Sequence, residues 1–117
     1  MKTKQLVVAL LMIFSVSAGF SQEKKFKIHT VAFYNLENLF DTINDTSIND
    51  EASPMMELKA NRSAVYWDKI DKLGSVIAQI GEDMANTSPT IIGVSEVENL
   101  SVLEDLVKSK NLVKKNY

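Results

Sequence analysis

The 117-residue chain contains no cysteine and only one histidine. Without cysteine it has neither a disulfide framework nor a lipid-modified cysteine, so its stability must come from buried apolar side chains. Its apolar run at residues 6–14 is shorter than the roughly 20 apolar residues that a membrane-spanning helix needs. The histidine, His29, lies within a strand-like segment, and we expect it to be a packed or edge residue rather than a catalyst.

The first residues have the pattern of a secretory signal peptide. Lys2 and Lys4 precede the apolar run, and small residues follow it at Ser15, Ser17, Ala18, Gly19 and Ser21. We therefore expect residues 1–21 to be removed and the mature chain to begin near Gln22, with cleavage one or two residues earlier equally compatible. The protein is expected to be exported to the periplasm or the extracellular space, without stable membrane association after cleavage.

The mature chain carries no excess of positive charge. The net charge of the whole chain is −2, and loss of Lys2 and Lys4 with the signal peptide lowers it to about −4. Such a balance argues against nonspecific wrapping of nucleic acid through phosphate neutralisation. A bound divalent cation can still recruit a phosphate locally.

The rest of the chain has a pattern of alternating strands and helices. Residues 26–35 predict a strand with two partly apolar faces, followed by a polar loop from Asp41 to about Asn61. The loop lacks the glycine that an EF-hand calcium loop requires, so we expect it to be solvated. Apolar side chains then recur at helical spacing over residues 62–84, with Asn61 as the expected N-cap.

The sequence allows more than one position for the C-terminal end of this helix, because a glycine inside a helix costs about 1 kcal/mol relative to alanine. Gly74 and Gly81 both fall within residues 62–84, and Gly81 is an alternative helix end.

A short buried strand follows at residues 90–95. Ser101 and Glu104 then predict a capping box at the start of a second helix, whose core face is expected to contain Val102, Leu103, Leu106 and Val107.

Strand, helix and strand in this order predict a parallel pair joined by a right-handed crossover. Both strands then end at the same edge of the sheet, where Asn35 and Glu96 are expected to face each other across a crevice. A carboxylate and an amide oxygen are hard ligands that suit Mg²⁺, Mn²⁺ or Ca²⁺ rather than zinc. The alternatives are a turn begun by Asn35 and a solvated Glu96 near a helix N-terminus.

The segments FYNLEN (residues 33–38) and GVSEVEN (residues 93–99) resemble the amino-terminal third of the endonuclease/exonuclease/phosphatase superfamily, which includes DNase I-like nucleases. NLENLFD followed by EVEN is most similar to a secreted bacterial branch. The resemblance implies that residues 22–117 form a βαβα amino-terminal portion of a four-layer α/β sandwich, which is incomplete.

The resemblance also implies roles for individual residues. Glu96 becomes the principal metal-binding carboxylate, and Asn35 an active-site amide that contacts the metal or the scissile phosphate. Glu37 is a weaker candidate metal ligand. Glu98 falls at the helix entrance, and we do not expect it to bind the metal.

The activity implied by the resemblance is hydrolysis of a phosphodiester or phosphomonoester by a metal-activated water, with nucleic acid among the candidate substrates. Members of the superfamily take their base and orienting acid from histidine and aspartate motifs later in the domain. This chain has no histidine after His29. We therefore expect a truncated, inactive fragment.

The alternatives are a secreted, non-catalytic α/β binding module, and a structural cell-envelope protein, which only the signal segment supports. The oligomeric state is not predicted.

Residues 22–117 are expected to show no hydrolysis of phosphodiesters when purified and assayed with Mg²⁺, because the histidine and aspartate motifs to which the resemblance assigns proton transfer are not found in them. Robust metal-dependent phosphodiesterase activity in that assay would overturn the expectation.

Overall fold

The computed structural model describes residues 3–5 and 24–117. The expected signal peptide and its cleavage site near Gln22 therefore lie almost entirely outside the described residues. Within the described part of the chain, no helix is long and apolar enough to cross a membrane. The elements, in chain order, are β1 (Val31–Leu39), a 3₁₀ helix (Asp50–Ala52), α1 (Pro54–Glu57), α2 (Arg62–Gln79), α3 (Glu82–Ala85), β2 (Ile91–Val97) and α4 (Leu100–Val107).

The two strands pair in parallel, as predicted. The register runs from Val31 opposite Ile91 to Asn35 opposite Ser95, and it resumes where Leu39 lies opposite Val97. Helix α2 lies between the strands in sequence and packs against β1 and α4. The described part of the chain is thus a mixed α/β structure in which two parallel strands end at the same edge.

The predicted bounds of the first strand are wrong at both ends. Residues 26–30 are not in a strand, because β2 begins at Ile91 and its pairing with β1 starts at Val31, so these residues lie beyond the end of the ladder. At the other end β1 continues past Asn35 to Leu39, since Leu36 and Leu39 are both fully buried. The additional residues bring the strand end into the core.

One of the two partly apolar faces predicted for the first strand is open to solvent in the described residues. Val31 and Phe33 are 71% and 73% exposed, and Ile91 on the neighbouring strand is 61% exposed. The ring of Phe33 lies over Gly93, where a Cβ would come within 2.9 Å of it. The opposite face, with Tyr34 and Ile92 partly buried on it, packs on the core.

The core lies between that inner face and the helices. Ten apolar residues are buried there: Leu36, Leu39, Met55, Tyr66, Ile70, Leu73, Ile77, Val102, Leu106 and Leu112. The Tyr66 hydroxyl donates a hydrogen bond to Asp105 Oδ2 at 2.8 Å and so links α2 to α4. Burial and the Asp105 carboxylate raise the pKa of the Tyr66 phenol far above its usual range, so this donor stays protonated.

The helical periodicity predicted the buried side of α2 correctly, but it continued one turn too far. Met84 is 61% exposed instead of buried. The reason is that α2 ends at Gln79 and Gly81 adopts a left-handed conformation with φ +72°, which turns the chain away. Gly81 as the helix end, the alternative left open by the sequence, is therefore what the structure contains.

Asn61 is the N-cap residue of α2, as predicted, but the predicted capping box of Ser101 and Glu104 is wrong. Asn61 is left-handed and makes no side-chain capping bond, and Arg62 instead anchors the entry of α2 by donating to the carbonyls of Met56 and Leu58. Helix α4 begins at Leu100, because the Asn99 side chain already accepts the Val102 N–H at 3.0 Å.

Gly74 has a packing role within α2. A Cβ at this position would overlap Ser109 Oγ and lie 3.1 Å from Ser109 Cβ. Both residues are buried. The missing side chain therefore lets α2 approach the segment that follows α4.

The substitution Gly74→Ala is expected to lower the free energy of unfolding by about 1–3 kcal/mol through overpacking, although alanine is the better helix former. Chemical denaturation measures this change. Lys72→Ala, at an exposed position of the same helix, is the control and should change stability by no more than about 0.5 kcal/mol. A Gly74→Ala protein as stable as the parent would contradict the packing role.

Candidate functional site

Strand β1 contains an irregularity directly after Asn35. Between the paired positions Asn35 and Leu39 the strand advances four residues, while β2 advances only two, from Ser95 to Val97. The additional length forms a bulge in which Glu37 and Asn38 have φ values of 54° and 56°. Bulges of this kind redirect side chains at strand ends and are common beside active sites.

Strand β2 has a matching irregularity at Glu96, whose φ is 56°. A left-handed conformation at a residue other than glycine or asparagine costs about 1–3 kcal/mol and tends to occur at functional sites. Glu37 and Glu96 are both residues of this type. Backbone strain therefore marks the ends of both strands at the same edge of the sheet.

The two strand ends are joined through the Glu96 carboxylate. Its Oε1 accepts a hydrogen bond from Asn35 Nδ2 at 2.7 Å, and its Oε2 accepts one from the backbone N–H of Asn38 at 3.1 Å. The structure thus brings Asn35 and Glu96 into direct contact at the edge where the sequence placed them. Each carboxylate oxygen is oriented by a donor from β1.

The orientation of the Asn35 amide follows from its neighbours. Its Oδ1 accepts the backbone N–H of Glu37 at 2.7 Å, while its Nδ2 faces the Glu96 carboxylate. The Glu37 N–H can only donate and the Glu96 carboxylate accepts, so a flipped amide would lose both bonds. Asn35 therefore connects the bulge to Glu96.

Glu37 takes part in this arrangement through its backbone. Its N–H donates to Asn35, its carbonyl accepts from Lys69, and its side chain is exposed. Glu98 accepts the backbone N–H of Asp41 at 2.7 Å, and Asn99 Nδ2 donates to Asp41 Oδ2 at 3.3 Å. Glu98 and Asn99 thus form a second link between the strand ends.

Lys69 is the site residue that sequence reasoning missed. Its Nζ donates to the carbonyl oxygens of Glu37 and, at 3.1 Å, of Asn38. Burial lowers the pKa of Lys69, while the carboxylates of Glu37 and Glu96 act in the opposite direction. In the sequence it looks like any solvated lysine of an amphipathic helix, and its one distinguishing feature is its position next to the core residue Ile70.

The donor set at this edge fits part of a cation site. A carboxylate has about four lone-pair directions, and Glu96 uses two of them, so others remain for a cation. The Asn35 amide oxygen likewise retains a lone pair. Among residues 3–5 and 24–117, no three His, Cys, Asp or Glu side chains form a group that could hold a metal. A cation here would therefore complete its shell with water or phosphate oxygens, as Mg²⁺ commonly does.

A sequence model of the endonuclease/exonuclease/phosphatase family matches residues 30–117. Because the match spans most of the chain and includes both strand ends, the chain belongs to that family. Comparisons with curated proteins and with solved structures found no match. The match confirms, at the level of the family, the resemblance predicted from FYNLEN and GVSEVEN. Members of this family are phosphoesterases that typically use a divalent metal.

Glu37→Asn is expected to raise the free energy of unfolding by up to about 1 kcal/mol, because asparagine tolerates the left-handed region better than glutamate does. Thermal and chemical denaturation measure the change. Glu57→Asn is the matched control, since Glu57 is exposed and lies in the short helix α1 at negative φ. The account of strain fails if Glu37→Asn costs as much stability as the control.

Proposed function

We propose that this chain provides the metal-side half of the active site of a phosphoesterase that depends on a divalent metal. The observation that carries the proposal is the hydrogen bond of 2.7 Å between Asn35 Nδ2 and Glu96 Oε1. It joins an amide and a carboxylate at the ends of two parallel strands, the position where open α/β sheets bind ligands. Family membership supports the class of reaction.

Glu96 is the proposed metal ligand, with Mg²⁺ as the first candidate and Mn²⁺ or Ca²⁺ as alternatives. Donors that hold a liganding carboxylate improve metal affinity because they fix its orientation before binding. The Asn35 amide and the Asn38 N–H are such donors. Glu37 remains a candidate for an outer position, since its exposed side chain lies near Lys69 in the same region.

When bound, the divalent ion supplies charge stabilisation to the phosphate and lowers the pKa of a water. The chain's own contribution is to hold Glu96 in place and to offer the Asn35 amide to the metal or to the phosphate. The substrate is proposed to be a phosphodiester or a phosphomonoester, nucleic acid included.

Proton transfer is the part that we propose these residues do not perform. His29 Nδ1 lies 3.0 Å from Thr90 Oγ1, at the start of the strands and therefore at the opposite edge from Glu96. It is thus poorly placed to serve as a base for a phosphate held at Glu96. We accordingly propose that these residues form part of an active site and do not catalyse hydrolysis by themselves.

A larger fold and an exported location belong to the same proposal. The open sheet face with Val31, Phe33 and Ile91 supports a further layer, as in a four-layer sandwich, because such a face is normally covered. Export rests on the pattern of residues 1–21 alone.

The purified chain is expected to bind Mn²⁺. Glu96→Gln is expected to weaken that binding by about tenfold or more, since it replaces a charged ligand with a neutral side chain of nearly the same shape. Isothermal titration calorimetry provides the measurement. Glu82→Gln, an exposed change in α3 near the other edge of the sheet, serves as the control and should bind as the parent does. Equal affinity in Glu96→Gln and the parent would refute the assignment.

The secreted binding module remains the second candidate, and the exposed apolar sheet face is the observation in its favour. Under that alternative Glu96→Gln leaves partner binding unchanged, and substitution of Phe33 weakens it.

A further inference from the structure

We infer that Lys69 is a positioning residue, which holds the β1 bulge in the conformation that orients the Asn35–Glu96 pair. Its meaning for catalysis rests on the function proposed above, but its effect on the geometry of the pair does not. Lys69 lies on α2, seven residues beyond the start of that helix, and far from both strand ends in the sequence.

The bulge needs support from outside β1. Glu37 and Asn38 are consecutive left-handed residues, and conformations of this kind persist only where surrounding contacts over-determine them. Their position opposite the two-residue step of β2 also interrupts the regular ladder. The carbonyl groups of such a segment can therefore take a partner from another element.

Lys69 is that partner for two carbonyl groups. Its ammonium donates to the carbonyl oxygens of both Glu37 and Asn38. An ammonium has three donor hydrogens, so both bonds form at once and each is charge-assisted. Hydrogen bonds to a charged group contribute more than neutral ones, so these contacts offset part of the cost of the bulge.

The position of Lys69 is fixed by the helix that carries it. The next residue, Ile70, is 1% exposed, and Tyr66 one turn earlier is 4% exposed and bonded to Asp105. This part of α2 is therefore anchored in the core on both sides of Lys69. The lysine extends from a rigid element to the least regular part of β1.

The bulge passes this constraint on to the site. The two residues whose carbonyls bind Lys69 also donate their N–H groups to the site, Glu37 to Asn35 Oδ1 and Asn38 to Glu96 Oε2. The Glu37 carbonyl and the Asn38 N–H belong to one planar peptide unit, so rotation of that unit would move this donor away from Glu96. The Glu37 N–H belongs to the preceding unit, which is joined to this one at the Glu37 Cα. Lys69 thus acts on Asn35 and Glu96 through the backbone, without touching either side chain through a hydrogen bond of its own.

The positive charge of Lys69 is a second way in which this residue stabilises the arrangement at the strand ends. The carboxylates of Glu37 and Glu96 are near enough to stabilise the charged form of Lys69. In return the ammonium reduces the repulsion between the two acids. Removal of this charge therefore destabilises the bulge by increasing the repulsion between the two acids, in addition to breaking two hydrogen bonds.

The test uses Lys69→Met, which keeps the length and apolar stem of the side chain but removes the ammonium. The control is Lys72→Met, where an exposed lysine of the same helix loses only its surface contact with Asp68. Lys69→Arg retains donors and a positive charge. The first readout is the pair of Asn35 side-chain amide signals in ¹⁵N–¹H spectra, with their hydrogen exchange, and the second is the affinity for Mn²⁺.

In Lys69→Met the Asn35 amide signals are expected to shift and exchange faster, while the melting temperature shows that the chain is still folded. Loss of the bulge contacts lowers Mn²⁺ affinity while loss of the neighbouring positive charge raises it, so the Asn35 signals, and not the affinity, decide the role of Lys69. Lys72→Met should leave both readouts unchanged, and Lys69→Arg should lie nearer to the parent than Lys69→Met does. Unchanged Asn35 signals in folded Lys69→Met would overturn the inference.

The two proposals fail in different ways. If the parent chain binds no Mn²⁺, or Glu96→Gln binds it equally well, the proposed function fails while the Asn35 signals still decide the role of Lys69. If the parent binds and Glu96→Gln does not, but the Asn35 signals of folded Lys69→Met are those of the parent, the positioning role fails and the metal site stands.

Discussion

The parallel pairing of β1 with β2 is the constraint on which the rest of the structure depends. Antiparallel strands would place Asn35 and Glu96 at opposite edges of the sheet, whereas the parallel register places both at one edge. Parallel pairing requires a long crossover, and α2 supplies it while burying one face of the sheet. The helix therefore has two functions, to return the chain to the first edge and to carry Lys69 to the strand ends.

Irregular backbone at that edge is inseparable from the site. Regular strands alternate their side chains between faces, so an uninterrupted β1 and β2 would direct Asn35 and Glu96 to opposite faces of the sheet, given that Asn35 lies opposite Ser95. The left-handed residue Glu96 and the bulge after Asn35 remove this restriction and bring the two side chains together. The same bulge provides the second donor to Glu96, from Asn38. The strained backbone and the proposed site are thus located in the same few residues.

Much of the fold was predictable because it follows from periodicity. The buried side of α2 repeats every three to four residues from Tyr66 to Ile77, and a parallel pair followed from the order of strand, helix and strand. Helix ends were predicted less well, since they depend on individual residues in competition. Asn99 replaces Ser101 as the cap of α4, and Asn61 stands at the predicted N-cap position of α2 but is left-handed and makes no side-chain capping bond.

The sequence by itself determined the family, the order of the elements and the two residues that meet at the sheet edge, because each is encoded in local patterns such as FYNLEN and GVSEVEN. Only the tertiary structure decided how these residues meet. The bulge, the left-handed Glu96 and the contact of Lys69 with two backbone carbonyls join residues more than thirty positions apart along the chain. No local pattern specifies such contacts, because hydrogen bonds between distant segments depend on the packing of a whole helix against a strand.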